Sequence, residues 1–380
     1  LTDGKVNSVR QVGAVVDWVN EVCPNLDMPD LKAETVREVL AKGDLPRNVT
    51  QVLKLRQEIS QSSTAKYKKL IQQAHKGRVY TNLRYYGATT GRWAGMGAQL
   101  HNLPRHQVDD PDLTLKKFYS SAILDEDPMG AAKGMIRSTF RAPEGKMFLV
   151  ADYASIEDRM LCWLCNEYES LNAYREGMDQ YKLMASAVFR VPYDEVDKGQ
   201  RFFGKTTILG CGYGMGALGF NNYAERFGLN ASMQQSTLAV NTYRHTRPSI
   251  PRYWYSAKDA ALDAIKNPLM TFPIGDDGKC NFTRRVDRAG RPWLILKLPS
   301  GRSLFYPNPE IRNDEYGDIP THMGMNSYTR KWSRLKLIPG RITENIVQAL
   351  SRDVLAHGKM TIASRGYQIN MSVHDEIIAA

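Results

Sequence analysis

The 380-residue chain has no apolar run close to the ~18 to 20 residues that cross a membrane. It also lacks internal repeats and low-complexity segments, and its 42% hydrophobic and 24% charged residues exclude a disordered or fibrous protein. The start, Leu1-Thr2-Asp3-Gly4-Lys5, has neither a hydrophobic export segment nor an initiator Met. We therefore expect a globular, cytoplasmic protein with no membrane partner, and an excerpt of a longer chain.

Cysteine is scarce. The five cysteines are an odd and scattered set, which favours a reducing compartment over a disulfide framework. Cys162 and Cys165 have CxxC spacing, but they lie in a helical apolar pattern and no second Cys/His pair completes four zinc ligands. We interpret them as core residues.

Negative charge is in deficit: 51 Lys and Arg face 40 Asp and Glu, for a net charge of +11. Such an excess favours a polyanionic partner, because cations that replace counterions on a phosphate backbone gain free energy from releasing them. A merely soluble surface is the alternative.

Residues 30–77 have a helical pattern. One apolar stripe, with Val36 and Val39, stops at Gly43, and Pro46 opens a second helix. The cations of these helices could contact a nucleic-acid backbone or form a solvated face. They are Lys54, Arg56, Lys66, Lys68, Lys69, Lys76 and Arg78.

Two acids are expected at strand ends. Residues 147–151 read as a short buried strand that ends at Asp152, and the apolar stretch 369–373 leads to Asp375 and Glu376. Carboxylates on separate strand ends are the usual holders of two divalent metals for phosphoryl transfer.

A helix follows the first of these acids. Ser155 with Asp158 three residues later has the pattern of a capping box, which predicts that the helix starts there.

Strands return after a mostly helical middle. Residues 293–298 and 303–306, joined by Pro299-Ser300-Gly301-Arg302, predict a β-hairpin. Helix is expected again over residues 343–357.

Gly199 to Thr206 fits the P-loop pattern, which would bind a nucleotide's phosphates. Residues 193–198 are too polar for the buried strand that must precede a P-loop, and three of the four inner positions are bulky. Read as a helix, the segment places residues at successive i, i+4 steps along one face. These are Arg201, Lys205, Leu209 and Tyr213.

Five motifs in order resemble family A DNA polymerases, the DNA polymerase I-like group, and most of all its bacteriophage branch. Each is similar to a family motif over residues 80 to 378. They are Thr90-Gly91-Arg92 with Gln99 to Pro104, Ile136 to Pro143 leading into Asp152 to Arg159, Arg201-x3-Lys205-x7-Tyr213-Gly214, Glu344 to Asp353, and His374-Asp375-Glu376.

The resemblance implies an α+β, right-hand polymerase fold with a helical thumb (1–77), a palm with an antiparallel sheet (78–168 and 336–380) and helical fingers (169–335) that contain the β-hairpin. Family members continue past motif C through the hairpin's second strand. We therefore expect a C-terminally incomplete palm with an unpaired strand, and a chain that is marginally stable and weakly active or inactive.

The resemblance also implies a two-metal site. Asp152 and Asp375 would bind two Mg²⁺ ions, or Mn²⁺ as a substitute, together with the backbone carbonyl of Tyr153. Glu376 would be a supporting acid, and Glu157 the steric gate against a ribose 2′-hydroxyl.

The remaining site residues would contact substrates. Arg201 and Lys205 would bind the incoming nucleotide's phosphates, and Tyr213 would lie near its base. Leu209 stands where many members carry Phe or Tyr, which predicts discrimination against dideoxynucleotides. The expected contacts to primer-template DNA are Arg92, Gln99, Asn102, Asn345, Gln348 and His374.

The function implied is template-directed DNA synthesis from deoxynucleoside triphosphates in a host bacterial cytoplasm. A missing segment or an additional chain would supply the rest of the palm and a proofreading exonuclease. Two alternatives stay open from the sequence: a P-loop NTPase using 199–206, and a non-catalytic primer-template-binding half of a split polymerase.

Overall fold

A computed structural model describes residues 1–41, 43–59, 64–80, 82–105, 107–315, 317–327 and 329–380. The chain forms two compact units. The first contains Leu1–Arg84 and Gly95–Met147, and the second contains Tyr85–Ala94 and Phe148–Ala380. The thumb, palm and fingers boundaries expected from the sequence stay predictions.

The first unit is mainly helical. Its helices are α1 (Val12–Val22), α2 (Ala33–Ala41), α3 (Arg47–Ile59), α4 (Ala65–Gln73), α5 (Pro111–Tyr119) and α6 (Pro128–Gly134). Its short strands include β1 (Ala74–His75), β2 (Arg78–Val79) and β3 (Leu83–Arg84), while β4 (Ala94–Gly95) spans the boundary between the units. One-turn 3-10 helices cover Leu100–Asn102, Ala122–Asp125 and Arg137–Thr139.

One apolar cluster holds the first three helices together. The predicted stripe of α2 supplies Val36 and Val39, and α3 supplies Val49, Val52 and Leu53, all buried. The two helices expected from the pattern are thereby confirmed. Helix α1 packs into the same cluster, although no prediction was made for it.

The second unit combines helices with antiparallel sheets. Its helices are α7 (Ile156–Leu164), α8 (Tyr168–Arg175), α9 (Gln180–Phe189), α10 (Lys198–Cys211), α11 (Ala217–Arg226), α12 (Met233–Thr246), α13 (Ser249–Lys266) and α14 (Pro339–Ser364). Its strands are β5 (Leu149–Asp152), β6 (Thr271–Ile274), β7 (Cys280–Val286), β8 (Pro292–Lys297), β9 (Ser303–Pro307), β10 (Glu310–Asp314), β11 (Gly317–Met325), β12 (Trp332–Lys336), β13 (Ile369–Val373) and β14 (Glu376–Ala379). A 3-10 turn covers Tyr193–Glu195.

Three sheets organise this unit, with the strand orders β13-β14-β5, β6-β7-β8-β9 and β10-β11-β12. Every neighbouring pair in them is antiparallel. Strands β8 and β9 form the hairpin predicted from the sequence. The α+β class and the antiparallel sheet are confirmed.

Helices α9 and α10 lie unusually close together at Gly204. A Cβ at this position would overlap the carbonyl oxygen of Tyr181, so glycine is what allows the two backbones to approach. Both cysteines of the CxxC pair are buried, and Cys165 belongs to the apolar core of this unit.

Two expectations about the acid-bearing strands are wrong. The first strand was expected to be buried, but β5 is an edge strand of its sheet and is exposed along its whole length. The second was expected to lack its partner, but β14 pairs with both β13 and β5. The four residues of β14 form the middle strand of this three-stranded sheet.

Among the described helices, none combines the length and apolarity that crossing a membrane requires.

Candidate active site

The two acid-bearing strand ends meet in the β13-β14-β5 sheet. Asp152 at the end of β5 lies opposite Glu376 at the start of β14. The backbone N–H of Tyr153 donates to the carbonyl of Asp375 at 3.3 Å, which joins the two segments beyond the last strand pair. His374 makes the turn between β13 and β14 with φ +55°, a left-handed conformation that reverses the chain within two residues.

This arrangement brings the charge of Asp375 close enough to Asp152 to act on its carboxylate. Partial burial and the neighbouring Asp375 charge both raise the pKa of Asp152. Each effect disfavours the ionised form, so a divalent cation between the carboxylates would relieve both. The pair therefore has the electrostatics of a cation site.

The donor set fits magnesium. Within the described residues, no group of three or more His, Cys, Asp or Glu side chains could hold a metal alone. Mg²⁺ is commonly bound by one or two carboxylates with substrate phosphates and waters completing its shell. Asp152, Asp375 and the Tyr153 carbonyl match that chemistry of hard oxygen donors.

The capping box predicted beside the site is wrong. Helix α7 does begin at Ile156, but Ser155 has φ +55° and its side chain caps nothing. Asp158 is buried instead, where it accepts from Arg247 Nη1 at 2.7 Å and from the Tyr174 hydroxyl at 2.6 Å. A distant partner thus takes the carboxylate that the local pattern assigned to the helix terminus.

Glu157, the expected steric gate, is held from two sides. Arg92 Nη1 donates to its Oε1 at 2.8 Å, and the Tyr213 hydroxyl donates to its Oε2 at 3.2 Å. Burial, reinforced by the Glu157 charge, raises the pKa of Tyr213 well above its usual value. The phenol therefore stays protonated and remains a donor to the carboxylate.

Helix α10 contains the segment with the P-loop pattern. Residues 199–206 are helical throughout, so the loop that would bind a nucleotide's phosphates does not exist and the P-loop alternative is contradicted. Asp197 caps the helix with Gln200 in a capping box. The helical interpretation of this segment is confirmed.

Three of the four predicted face residues lie on α10. Arg201 Nε contacts Asp179 Oδ2 at 2.6 Å, and Lys205 lies over the Tyr181 ring at 5.9 Å. Leu209 is 45% exposed on the same helix. These side chains form an accessible, cationic and apolar face.

Tyr213 does not continue that face. The helix ends at Cys211 because three of the five residues 210–214 are glycine, and Gly214 turns the chain with φ +81°. The Tyr213 carbonyl packs against Gly340 in the first turn of α14, where a Cβ would overlap it. Tyr213 is therefore fixed beside Glu157 by the turn and not by helical spacing.

Comparisons with known proteins show the family of this chain. The family model described as DNA polymerase family A matches residues 4–267. The chain belongs to DNA polymerase family A. It is 32% identical over 376 residues to the DNA polymerase of Bacillus phage SP02, covering 95% of this chain and 55% of that protein. It is 29% identical over 177 residues to DNA polymerase I of Chloroflexus aurantiacus, covering 47% of this chain and 16% of that protein.

A solved structure shares the fold. The POL domain of Pol1 from M. smegmatis, in complex with DNA primer-template and dNTP, matches with a TM-score of 0.58 at 20% identity over 98% of this chain and 54% of that one. The α+β fold of this family A chain is therefore that of a polymerase domain. The chain spans about half the length of the phage relative and of the solved chain.

Several residues expected to contact DNA lie on or near α14 of the family A chain. Asn345 Nδ2 donates to the Tyr306 hydroxyl at 3.1 Å, and Gln348 Nε2 donates to Glu344 at 3.1 Å. The Thr90 hydroxyl reaches Gln348 Oε1 at 3.5 Å. The segment bearing Arg92 and the helix bearing Gln348 are thus in contact.

Gln99 and Asn102 belong to the first unit. Asn102 Nδ2 donates to Gln99 Oε1 at 3.2 Å, and Lys66 Nζ donates to the carbonyls of Ala98 and Gln99 at 2.8 and 3.3 Å. Burial lowers the pKa of Lys66. Lys66, one of the cations of the predicted basic face, therefore holds the loop at Ala98 and Gln99 in place.

Sequence reasoning gave no role to Arg302, in the β8-β9 turn. Its guanidinium donates to Asp353 on α14 at 2.9 Å, to the carbonyl of Ala349 at 2.9 Å and to the carbonyl of Thr90 at 3.0 Å. Gly91 has no side chain because a Cβ there would overlap this guanidinium. The sequence pattern predicts that Arg302 lies in a turn, but it gives no information about its hydrogen-bond partners. Those partners are visible only in the folded structure.

Proposed function

We propose that this family A chain carries out template-directed DNA synthesis by adding deoxynucleotides to a primer 3′-hydroxyl. The carrying observation is the meeting of Asp152 and Asp375, through the β5-β14 register and the Tyr153 hydrogen bond. The family membership and the names of the relatives support the same activity.

The residues fit a two-metal site. Asp152, Asp375 and the Tyr153 carbonyl would hold two Mg²⁺ ions, with Mn²⁺ as a substitute. The ions would lower the pKa of the primer hydroxyl and neutralise charge on the phosphoryl oxygens. Glu376, paired in register with Asp152, would keep the local potential negative and so favour cations over other ligands.

The chain's own side chains would bind and orient the nucleotide. Arg201 and Lys205 lie on one partly exposed face of α10 and would take the triphosphate, with Leu209 one turn further on for the sugar. Arg201 must leave Asp179 to do so, because the two are paired at 2.6 Å. Phosphate binding is then an exchange of one anion for another.

Sugar selection would come from Glu157. Arg92 and Tyr213 hold its carboxylate from two sides, so it cannot swing away from an added 2′-hydroxyl. Replacing Glu157 with Ala should therefore raise ribonucleotide incorporation, measured as the ratio of kcat/KM for a ribonucleotide and its deoxy counterpart. An unchanged ratio would remove this role from Glu157.

The residues proposed to contact DNA, and the proposed partners, are those that membership of DNA polymerase family A implies. Arg92, Asn345, Gln348 and His374 in the second unit, with Gln99 and Asn102 in the first, would line the primer-template and check its shape in the minor groove. Proofreading, and the rest of the palm, would come from other segments or another chain. The phage relative supports action in a bacterial cytoplasm.

The test is Mg²⁺-dependent extension of a labelled primer-template with all four deoxynucleotides. Asp375→Asn and Asp152→Asn should each abolish extension while leaving DNA affinity and thermal stability unchanged, because Asn keeps the shape and removes the charge. Asp276→Asn, at another exposed acid of the same unit, is the matched control and should extend as the parent does.

DNA binding without extension by the parent protein would contradict the enzyme and favour the primer-template-binding alternative. Extension that survives Asp375→Asn would contradict the assignment of this carboxylate.

A further inference from the structure

The four-stranded sheet β6-β7-β8-β9 has one face in the core and one face open. Strand register pairs residues of β7, β8 and β9 in rows, and residues of a row share a face. The buried rows contain Phe282, Leu294, Leu296, Leu304 and Tyr306. The open rows form what we term the outer face. It comprises Asn281, Arg285, Trp293, Ile295, Lys297, Ser303, Phe305 and Pro307, whereas Thr283, in the same row as Ile295 and Phe305, is buried.

Two aromatic rings stand at the β8-β9 side of the outer face. Phe305 is 57% exposed, and Trp293 packs against it edge to face with ring centroids 6.3 Å apart. The Trp293 indole N–H donates to Asp287 Oδ2 at 3.2 Å, which fixes its orientation. The face therefore presents a pre-ordered ring system to solvent.

Cations border these rings. Arg285 and Lys297 are exposed on the outer face, and Arg288 and Arg291 are exposed in the turn between β7 and β8. The one acid of this turn, Asp287, also accepts from Arg291 Nε at 2.8 Å. These four cations give the outer face a positive charge beside the rings of Trp293 and Phe305.

Exposed rings inside a positive border are the recognition chemistry of single-stranded nucleic acid. Unpaired bases stack on the rings, and the phosphates lie against the cations. A duplex hides its base faces, so it would use the cations alone.

The outer face is also tied to the helix expected to contact DNA. The β8-β9 turn is fixed to α14 by Arg302, which donates to Asp353 and to the Ala349 carbonyl. A strand leaving that helix as unpaired template could continue onto the sheet.

We propose that the outer face binds single-stranded DNA, and that its occupant is the unpaired template strand ahead of the primer terminus, an assignment that rests on the proposed polymerase function. Phe305 and Trp293 stack on bases, and Lys297 and Arg285 neutralise phosphates.

The first test measures binding of a labelled single-stranded oligothymidylate by fluorescence anisotropy, without primer or nucleotide. Phe305→Leu removes the ring but keeps an apolar side chain, and should weaken binding roughly tenfold. Phe305→Tyr keeps the ring and should bind as the parent does. Phe227→Leu is the matched control, since Phe227 is 50% exposed and also packs against one aromatic ring, that of Tyr223.

Salt dependence reports on the cations. Lys297→Gln should lower the slope of log affinity against log salt concentration by about 0.7, the value for one phosphate contact on a single strand. An unchanged slope would remove Lys297 from the site. Equal binding of the oligothymidylate by the parent and by Phe305→Leu would overturn the proposal. A parent protein that binds another protein at this face and binds no single-stranded DNA would overturn it as well.

The second test compares extension on templates with a one-nucleotide overhang and with a long overhang. Phe305→Leu should raise KM for DNA on the long template alone. An equal loss on both templates would overturn the proposal, because the ring would then act through folding or the reaction centre.

Failure of the polymerase function gives a different pattern. The parent protein would extend neither template, yet the anisotropy difference between Phe305→Leu and Phe305→Tyr would remain and would still assign a single-strand site.

Discussion

Arg247 is expected to be among the most stabilising side chains of the second unit. Its guanidinium donates to Asp158 at 2.7 Å and to Gln180 at 2.9 Å, and it stacks on the Tyr243 ring with 5.5 Å between the groups. The side chains of Arg247 and Asp158 are 4% and 7% exposed. Water therefore cannot replace either partner when the other is removed.

Replacing Arg247 with Met leaves the Asp158 carboxylate buried with a single donor, the Tyr174 hydroxyl. Removing one partner of a buried ion pair destabilises by about 3–5 kcal/mol, because a desolvated charge loses its counter-charge. The double variant Arg247→Met with Asp158→Leu removes both charges and should recover most of that loss. The contribution of Arg247 to the free energy of unfolding thus depends on its pairing with Asp158 and not on the arginine alone.

Urea unfolding followed by far-UV circular dichroism and by intrinsic fluorescence measures both variants. The matched control is Lys336→Met, which breaks the partly exposed pair with Asp314 at 2.8 Å. Screening by water limits such a pair to about 0.2–1 kcal/mol. An Arg247→Met effect no larger than that of the control would refute the burial argument, and so would a double variant less stable than either single one.

Three further predictions concern the proposed nucleotide site. Gly340→Ala should lower kcat for extension, because a Cβ there overlaps the Tyr213 carbonyl and overpacking of this kind costs about 1–3 kcal/mol. Asp179→Asn should lower KM for deoxynucleotides by up to about fivefold with kcat unchanged, because it keeps the cap of α9 but removes the charge that competes with phosphate for Arg201. Leu209→Tyr should increase chain-terminator incorporation in a primer-extension assay, because Leu209 is exposed at the position expected to face the sugar.

Each of these has a result that contradicts it. Gly216→Ala is the control for the first, since open space surrounds that position, and equal rates for the two alanine variants would contradict the packing argument. A raised KM in Asp179→Asn would mean that the carboxylate positions Arg201 for phosphate. Unchanged terminator incorporation in Leu209→Tyr would sink the sugar assignment.

Local sequence patterns correctly predicted several of the helices and strands. Apolar spacing predicted α2 and α3, turn residues predicted the β8-β9 hairpin, and residues 369–373 were expected as the strand that the structure places there. Family membership and the α+β polymerase fold, expected from five ordered motifs, are confirmed. The roles of the individual site residues stay predictions.

Other features needed the tertiary structure. Asp158 had the local signature of a helix cap, yet its partner is Arg247, 89 residues away. Arg302 reaches the Thr90 carbonyl 212 positions from itself, and nothing in the turn that carries it indicates this. The strand ending at Asp152 was expected to be buried from its apolar residues, but it is exposed.

The sequence by itself predicted several helices and strands, the fold class and the family, and it named the residues expected to carry the chemistry. Periodicity and turn chemistry act over a few residues, so they are readable in one dimension. The tertiary structure decided which carboxylate lies near a second acid, as Asp152 does near Asp375, and which is buried with an arginine, as Asp158 is with Arg247. That choice depends on burial and on partners far along the chain, which only the packed protein brings together.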